Sequence, residues 1–164
     1  MKAFKLFLFP VLVMVNAALF AQTKADDIPV ADLPATVKSV LENYVAILRT
    51  SKDLAEAAKR FTEIAGGSLV NEDGKTLRSS TDQFGLKKDF NDIKHYADPI
   101  RVTRVAKFAS NGQGYGASAI KGFIYKVWID KKDPQLGMPA PVSILVPEGH
   151  ETIKTPKVVN IGSF

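Results

Sequence analysis

The sequence predicts an α+β fold: three N-terminal helices packed on a curved, mostly antiparallel sheet. Three observations carry this. Apolar residues recur at helical spacing in three successive segments between Leu33 and Ala97. From Ile100 onward the pattern changes to the alternation of strands. The stretch 119–130, Ala-Ile-Lys-Gly-Phe-Ile-Tyr-Lys-Val-Trp-Ile-Asp, is rich in β-branched and aromatic residues and apolar on both faces. Phe123, Tyr125, Val127 and Ile129 share one face, and Ile120, Ile124 and Trp128 the other, as expected of a central strand covered on both sides.

The elements follow in order. Residues 1–21 have a basic start (Lys2, Lys5), an apolar run broken by Pro10, and small residues ending in Ala21. This is the plan of a secretory signal peptide cleaved after Ala21, and it places the protein outside the cytoplasm, periplasmic or extracellular. Residues 22–31 are polar and read as a flexible leader. A single domain is expected over 32–164.

Asp32 is a candidate helix cap with Pro34 in the first turn. Leu33, Val37, Val40, Leu41, Tyr44 and Leu48 form the first apolar stripe, ending near Arg49. Thr50 and Ser51 offer the next cap, and Leu54, Ala57, Ala58, Phe61, Ile64 and Ala65 the next stripe, closed by Gly66-Gly67. Ser68-Leu69-Val70 reads as a short strand and residues 71–74 as a turn. Ser80 with Gln83 is a capping-box signature. Leu86, Phe90, Ile93 and Ala97 line helix three, which Pro99 stops.

Beyond Pro99, Ile100, Val102, Ala106 and Phe108 share a strand face with Arg104. The glycine-containing loop 110–118 leads into the central strand. Strands follow at 142–146 and 153–164, the last with Pro156 marking an edge or bulge.

Composition removes several chemistries. The chain has 164 residues, 46% hydrophobic and 24% charged, the makeup of a globular domain with a core. Its net charge is +5, or +3 without Lys2 and Lys5, and the basic residues are not clustered, so nucleic acid is not an expected partner. No membrane association is expected once the signal is removed. The chain has no cysteine, which removes disulfides, thiol nucleophiles and thiolate metal sites.

No metal motif is present, and no cofactor is expected. His95 lies about 200° around helix three from Ile93, away from the apolar stripe, and His150 sits in a turn between Glu148 and Glu151. Both read as surface histidines. Gly112-x-Gly114-x-Gly116 precedes a strand rather than a helix, so it reads as a hairpin loop, not a dinucleotide fingerprint.

The order of elements resembles the cone-shaped fold of the nuclear-transport-factor-two-like (cystatin-like) superfamily. The matching residues are Leu41-Glu-Asn-Tyr-Val45 on the first helix, Gly67-Ser-Leu-Val-Asn-Glu-Asp-Gly74 after the second, and the closing strand Val158-Val-Asn-Ile-Gly-Ser-Phe164. The resemblance covers the chain from about Asp32. It implies a pocket between the helices and the concave face of the sheet, and a homodimer through the convex face. It does not imply one activity, because such folds host enzymes and non-catalytic binders alike.

The enzymes of that superfamily use an aspartate, histidine or tyrosine in the pocket. No acid–base pair is evident on the strands here, so no catalytic residue is assigned. Arg104 stands out as a charge on an otherwise apolar strand face. The pocket candidates are Tyr44, Phe61, Arg104, Tyr125 and Trp128, with Arg104 meeting an anionic group inside an aromatic wall. The alternative places Arg104 on a rim with its head in water, and strand register decides between the two. The reading is a secreted pocket protein for a small apolar or weakly anionic ligand, non-catalytic. The alternatives are an isomerase, dehydratase or cyclase using the same pocket, and a structural or protein-interaction module.

Overall fold

The computed structural model describes residues 25–116 and 119–162. The expected signal peptide, Gln83 as a side-chain cap, part of the glycine loop and the end of the last strand lie outside the described residues. The fold class is α+β: three α-helices and one open, five-stranded antiparallel sheet.

The first element among the described residues is a strand that the sequence did not announce. The leader expected over 22–31 contributes β1 (Asp26–Ile28), which pairs with β2 (Val102–Gln113) through Asp26↔Lys107 and Ile28↔Val105. A 3-10 turn follows at Val30–Asp32. Helix α1 spans Ala35–Thr50. Asp32 does not cap it. The cap position is Pro34, whose carbonyl accepts from the amides of Val37 and Lys38, both at 3.0 Å. The stripe is as expected, with Val37, Leu41, Tyr44 and Leu48 buried.

Helix α2 spans Leu54–Thr62. Its cap is Asp53, not Thr50 or Ser51: Asp53 Oδ1 accepts from the Glu56 amide at 2.8 Å, and Glu56 Oε2 accepts from the Lys52 amide at 3.2 Å. Thr50 and Ser51 instead brace the corner between the helices, their hydroxyls accepting from Arg60 at 2.9 and 3.1 Å.

Gly66-Gly67 does not cap α2. The chain leaves the helix and runs alongside β5 (Lys157–Ile161): the Val158 amide donates to Ile64 and the Gly66 amide to Val158, both at 2.8 Å. Gly66 is needed there for closeness, because a Cβ would lie 2.9 Å from that of Lys157. The expected strand at 68–70 is a 3-10 turn, Gly67–Leu69, followed by a lone bridge between Val70 and Leu77.

The third helical segment is irregular. Thr81–Leu86 is π-helical, α3 covers Lys87–Asp92, and Ile93–His95 is 3-10. Ser80 makes no side-chain cap bond. Gly85 lies in the widened turn, where a Cβ would meet Ile161 at 3.0 Å.

The sheet is a meander in the order β1-β2-β3-β4-β5, with β2 at Val102–Gln113, β3 at Ile120–Ile129 and β4 at Val142–Pro147. As expected, β3 is central and apolar on both sides. One face joins the main core, where Val105, Val127, Ile129, Val142, Ile144 and Val158 meet Leu41, Tyr44, Phe61, Leu86 and Ile93 from the helical segments. The other face holds a smaller cluster of Ile120, Ile124, Leu145 and Val159. Gly122 lets β3 and β4 approach: its φ is +149°, and a Cβ would lie 2.0 Å from the Val146 carbonyl oxygen.

Candidate functional site

The five pocket candidates fall into two groups on opposite sides of the sheet. Tyr44 on α1 and Phe61 on α2 meet at 5.0 Å between ring centres. Both have zero accessible surface, so no water-sized void touches either ring. Tyr125 joins them in the same core. Arg104 and Trp128 do not. They pair directly across β2 and β3 on the other face. The register slip that decides this lies between Val102 and Arg104, where a bulge turns Val102 toward the main core and Arg104 away from it.

On that outer face Arg104 is an exposed residue. Its guanidinium stacks 4.6 Å from the Trp128 ring centre, and Nη2 donates to Asp27 at 2.9 Å. Lys126 lies 5.2 Å from the Phe108 ring centre. On the same sheet Ala106, Ile124 and Leu145 are buried within one chain.

The interior holds a carboxylate that the sequence reading passed over. Asp89 on α3 is fully buried, and the Tyr44 hydroxyl donates to its Oδ2 at 2.6 Å. Burial, then the Asp89 charge and hydrogen bond, push the Tyr44 phenol well above its ordinary value. Burial and the charges of Asp89 and Asp92 push Tyr96 up as well. Asp89 follows Leu86 by three residues and precedes Ile93 by four, which puts it on the apolar stripe of helix three. That spacing was the available signal. Tyr44 and Asp89 form an acid and an acceptor in contact, but both have zero accessible surface, so no substrate reaches them in this conformation.

Open concavities lie elsewhere. One is a cleft of about 540 Å³ between the last turn of α2, the 71–74 turn and β5. Its base is built from Ala65, Gly66 and Val70, all buried, with Ile153 along one side. Lys59, Lys75 and Lys157 line it, against one acidic residue, Glu63. Lys157 Nζ donates to the Glu63 carbonyl at 2.7 Å, a cation at the C-terminal end of a helix. Burial holds its pKa below the usual lysine range, partly offset by the Glu63 charge. Among the described residues none of these three lysines forms an ion pair, whereas Arg49, Lys88, Arg101 and Arg104 each do.

Two smaller concavities are more fully committed. One, of about 410 Å³, is lined by Lys121, Glu148 and His150, where His150 Nδ1 accepts from the amides of Thr152 and Ile153 at 3.2 and 3.0 Å. The other, of about 280 Å³, is lined by Lys88, Asp92, His95, Tyr96 and Lys131. There Lys88 pairs with Asp92 at 2.9 Å and Lys131 donates to the Leu136 carbonyl at 2.8 Å. Among the described residues no group of three or more His, Cys, Asp or Glu could hold a metal ion, and no helix is long and apolar enough to cross a membrane.

Comparison with protein-family models, curated proteins and solved structures found no match to this chain.

Proposed function

We propose that this chain is an exported, non-catalytic binding protein for a small anionic molecule, held in the cleft between α2 and β5. One observation carries the reading: Lys59, Lys75 and Lys157 line one concavity, and no carboxylate pairs with any of them among the described residues. Three lysines against the one carboxylate of Glu63 leave the cleft net positive, and an anion relieves the remaining repulsion. The basic and apolar N-terminal segment supports export.

Membership of the cone-fold superfamily belongs to the same proposal. Helices packed on one side of an antiparallel sheet support it. The filled space around Tyr44 and Phe61 moves the ligand from the superfamily's usual hollow to the flank of the molecule. The isomerase reading has its carboxylate in Asp89, but zero accessibility argues against it.

A thermal-shift screen of the processed chain against small carboxylates, sulfonates and phosphates tests the function. A ligand that binds the folded state raises the melting temperature by mass action. At least one anion is expected to stabilise the protein, less so at high salt, and not in a variant combining Lys59→Gln, Lys75→Gln and Lys157→Gln. The reading fails if no anion stabilises the chain, or if the triple variant responds like the parent.

A further inference from the structure

Resting on the anion-binding reading above, we infer that the ligand of the α2–β5 cleft is a free single-chain amphiphile with one negative charge, a medium-chain carboxylate or sulfonate. The cleft is built in two parts. Its apolar surface comes chiefly from Ile153, half-buried and continuous with the second apolar cluster, with Ala65 and Val70 contributing little because they are 4% and 2% exposed. The charge comes from ammonium groups on flexible four-carbon stems, which reach a head group while their methylenes extend the apolar wall.

The donors exclude a phosphate cradle. Such sites use several backbone N–H groups aimed at the ligand. Here those groups are engaged: Gly66 donates to the Val158 carbonyl at 2.8 Å, Gly74 to that of Asn71 at 2.9 Å, and Lys75 to the Asp73 carboxylate at 2.8 Å. Among the described residues no arginine lines the cleft, so none of them presents the planar fork that holds a phosphate by two bonds. Glu63 adds a negative charge that disfavours a polyanion more than a monoanion. What remains is point-charge recognition of one anionic group beside a surface that favours hydrocarbon. The cleft lies at the flank of a fold whose inner core is filled, so its opening needs no movement of the helices.

Calorimetric titration of the processed chain with hexanoate, octanoate, decanoate, decanol and inorganic phosphate, below micelle formation, tests this. Affinity is expected to rise up to roughly fourfold per added methylene along the carboxylates, the transfer of one methylene out of water. Decanol should bind at least about tenfold more weakly than decanoate. Ile153→Ser, in a loop, should flatten the chain-length series, and Lys75→Gln, on an exposed turn, should narrow the gap between decanoate and decanol. Phosphate binding as tightly as decanoate, or carboxylates binding without chain-length dependence, overturns the amphiphile while leaving the anion reading standing. No binding by any of the anions overturns both. Co-sedimentation with phosphatidylglycerol vesicles, without binding of free decanoate, would assign the cleft to a membrane surface and also overturn the proposal.

Discussion

Asp89 and the lysines of the α2–β5 cleft are two places where this protein sets charge next to apolar surface, and they are built in opposite ways. Asp89 is sealed inside, met by a phenol at 2.6 Å, and reached from helices α1 and α3 at once. The lysines stand at an opening with no ion-pair partner among the described residues. A buried charge must be satisfied within the chain or the fold is lost. A charge at a rim is solvated by water, so its pairing is free to be used by something else. The difference separates a group that holds the architecture together from groups available for binding.

Substitutions should split along that line. Asp89→Ala leaves the Tyr44 hydroxyl without its acceptor and opens a void between α1 and α3; urea denaturation should show a loss of about 3 kcal/mol. Tyr44→Phe removes one donor from a buried carboxylate and should cost about 2 kcal/mol. The double variant should cost less than the sum of the singles, because the two groups share one bond.

Alkaline titration sharpens the same contrast. The Tyr44 and Tyr96 phenols are raised in the folded state above their unfolded value of about 10. Their contribution to stability is therefore full below pH 10 and falls as pH climbs past it. Absorbance of tyrosinate from these two residues should emerge together with unfolding, and Tyr44→Phe should reduce that step. Should both phenols ionise in the native protein near pH 10, the sealed interior is wrong.

On the outer face, Arg104→Ala should cost only about 0.5–1 kcal/mol, since an exposed stacking pair and a solvent-screened ion pair are each weak. Lys75→Gln should change stability by less than about 0.5 kcal/mol while still lowering anion affinity. A large stability loss there would make the cleft lysines structural and erase the distinction.

Much of the architecture was legible because it rests on periodicity. The stripe of Val37, Leu41, Tyr44 and Leu48, and the two-faced apolar run around Val127, required no knowledge of neighbours. Caps were legible in principle: Asp53 with Glu56 three residues on is a capping signature, though the hydroxyls just before it are equally good local candidates. β1 could not be read, because Asp26-Asp27-Ile28 has little strand propensity and is recruited by the edge of β2.

The grouping of the five pocket candidates was not legible, for two reasons. A bulge beside Thr103 set which way Arg104 faces, and nothing in the alternation marks a bulge. The hollow itself was closed by the very aromatic rings proposed to line it, since Tyr44 and Phe61 on adjacent helices bring enough volume to occupy the space. The cleft was invisible because Lys59, Lys75 and Lys157 are far apart in the chain. They meet only because residues 64–66 run along β5.

That last contact has a consequence for how copies of the protein behave toward one another. An uncovered outermost strand is a template for polymerisation. Here the β5 side is occupied in part by residues 64–66, the opposite margin is only three residues long and begins with two aspartates, and the free length of β2 is kinked between Ser110 and Gln113. A sheet finished in this way offers little purchase for fibril growth.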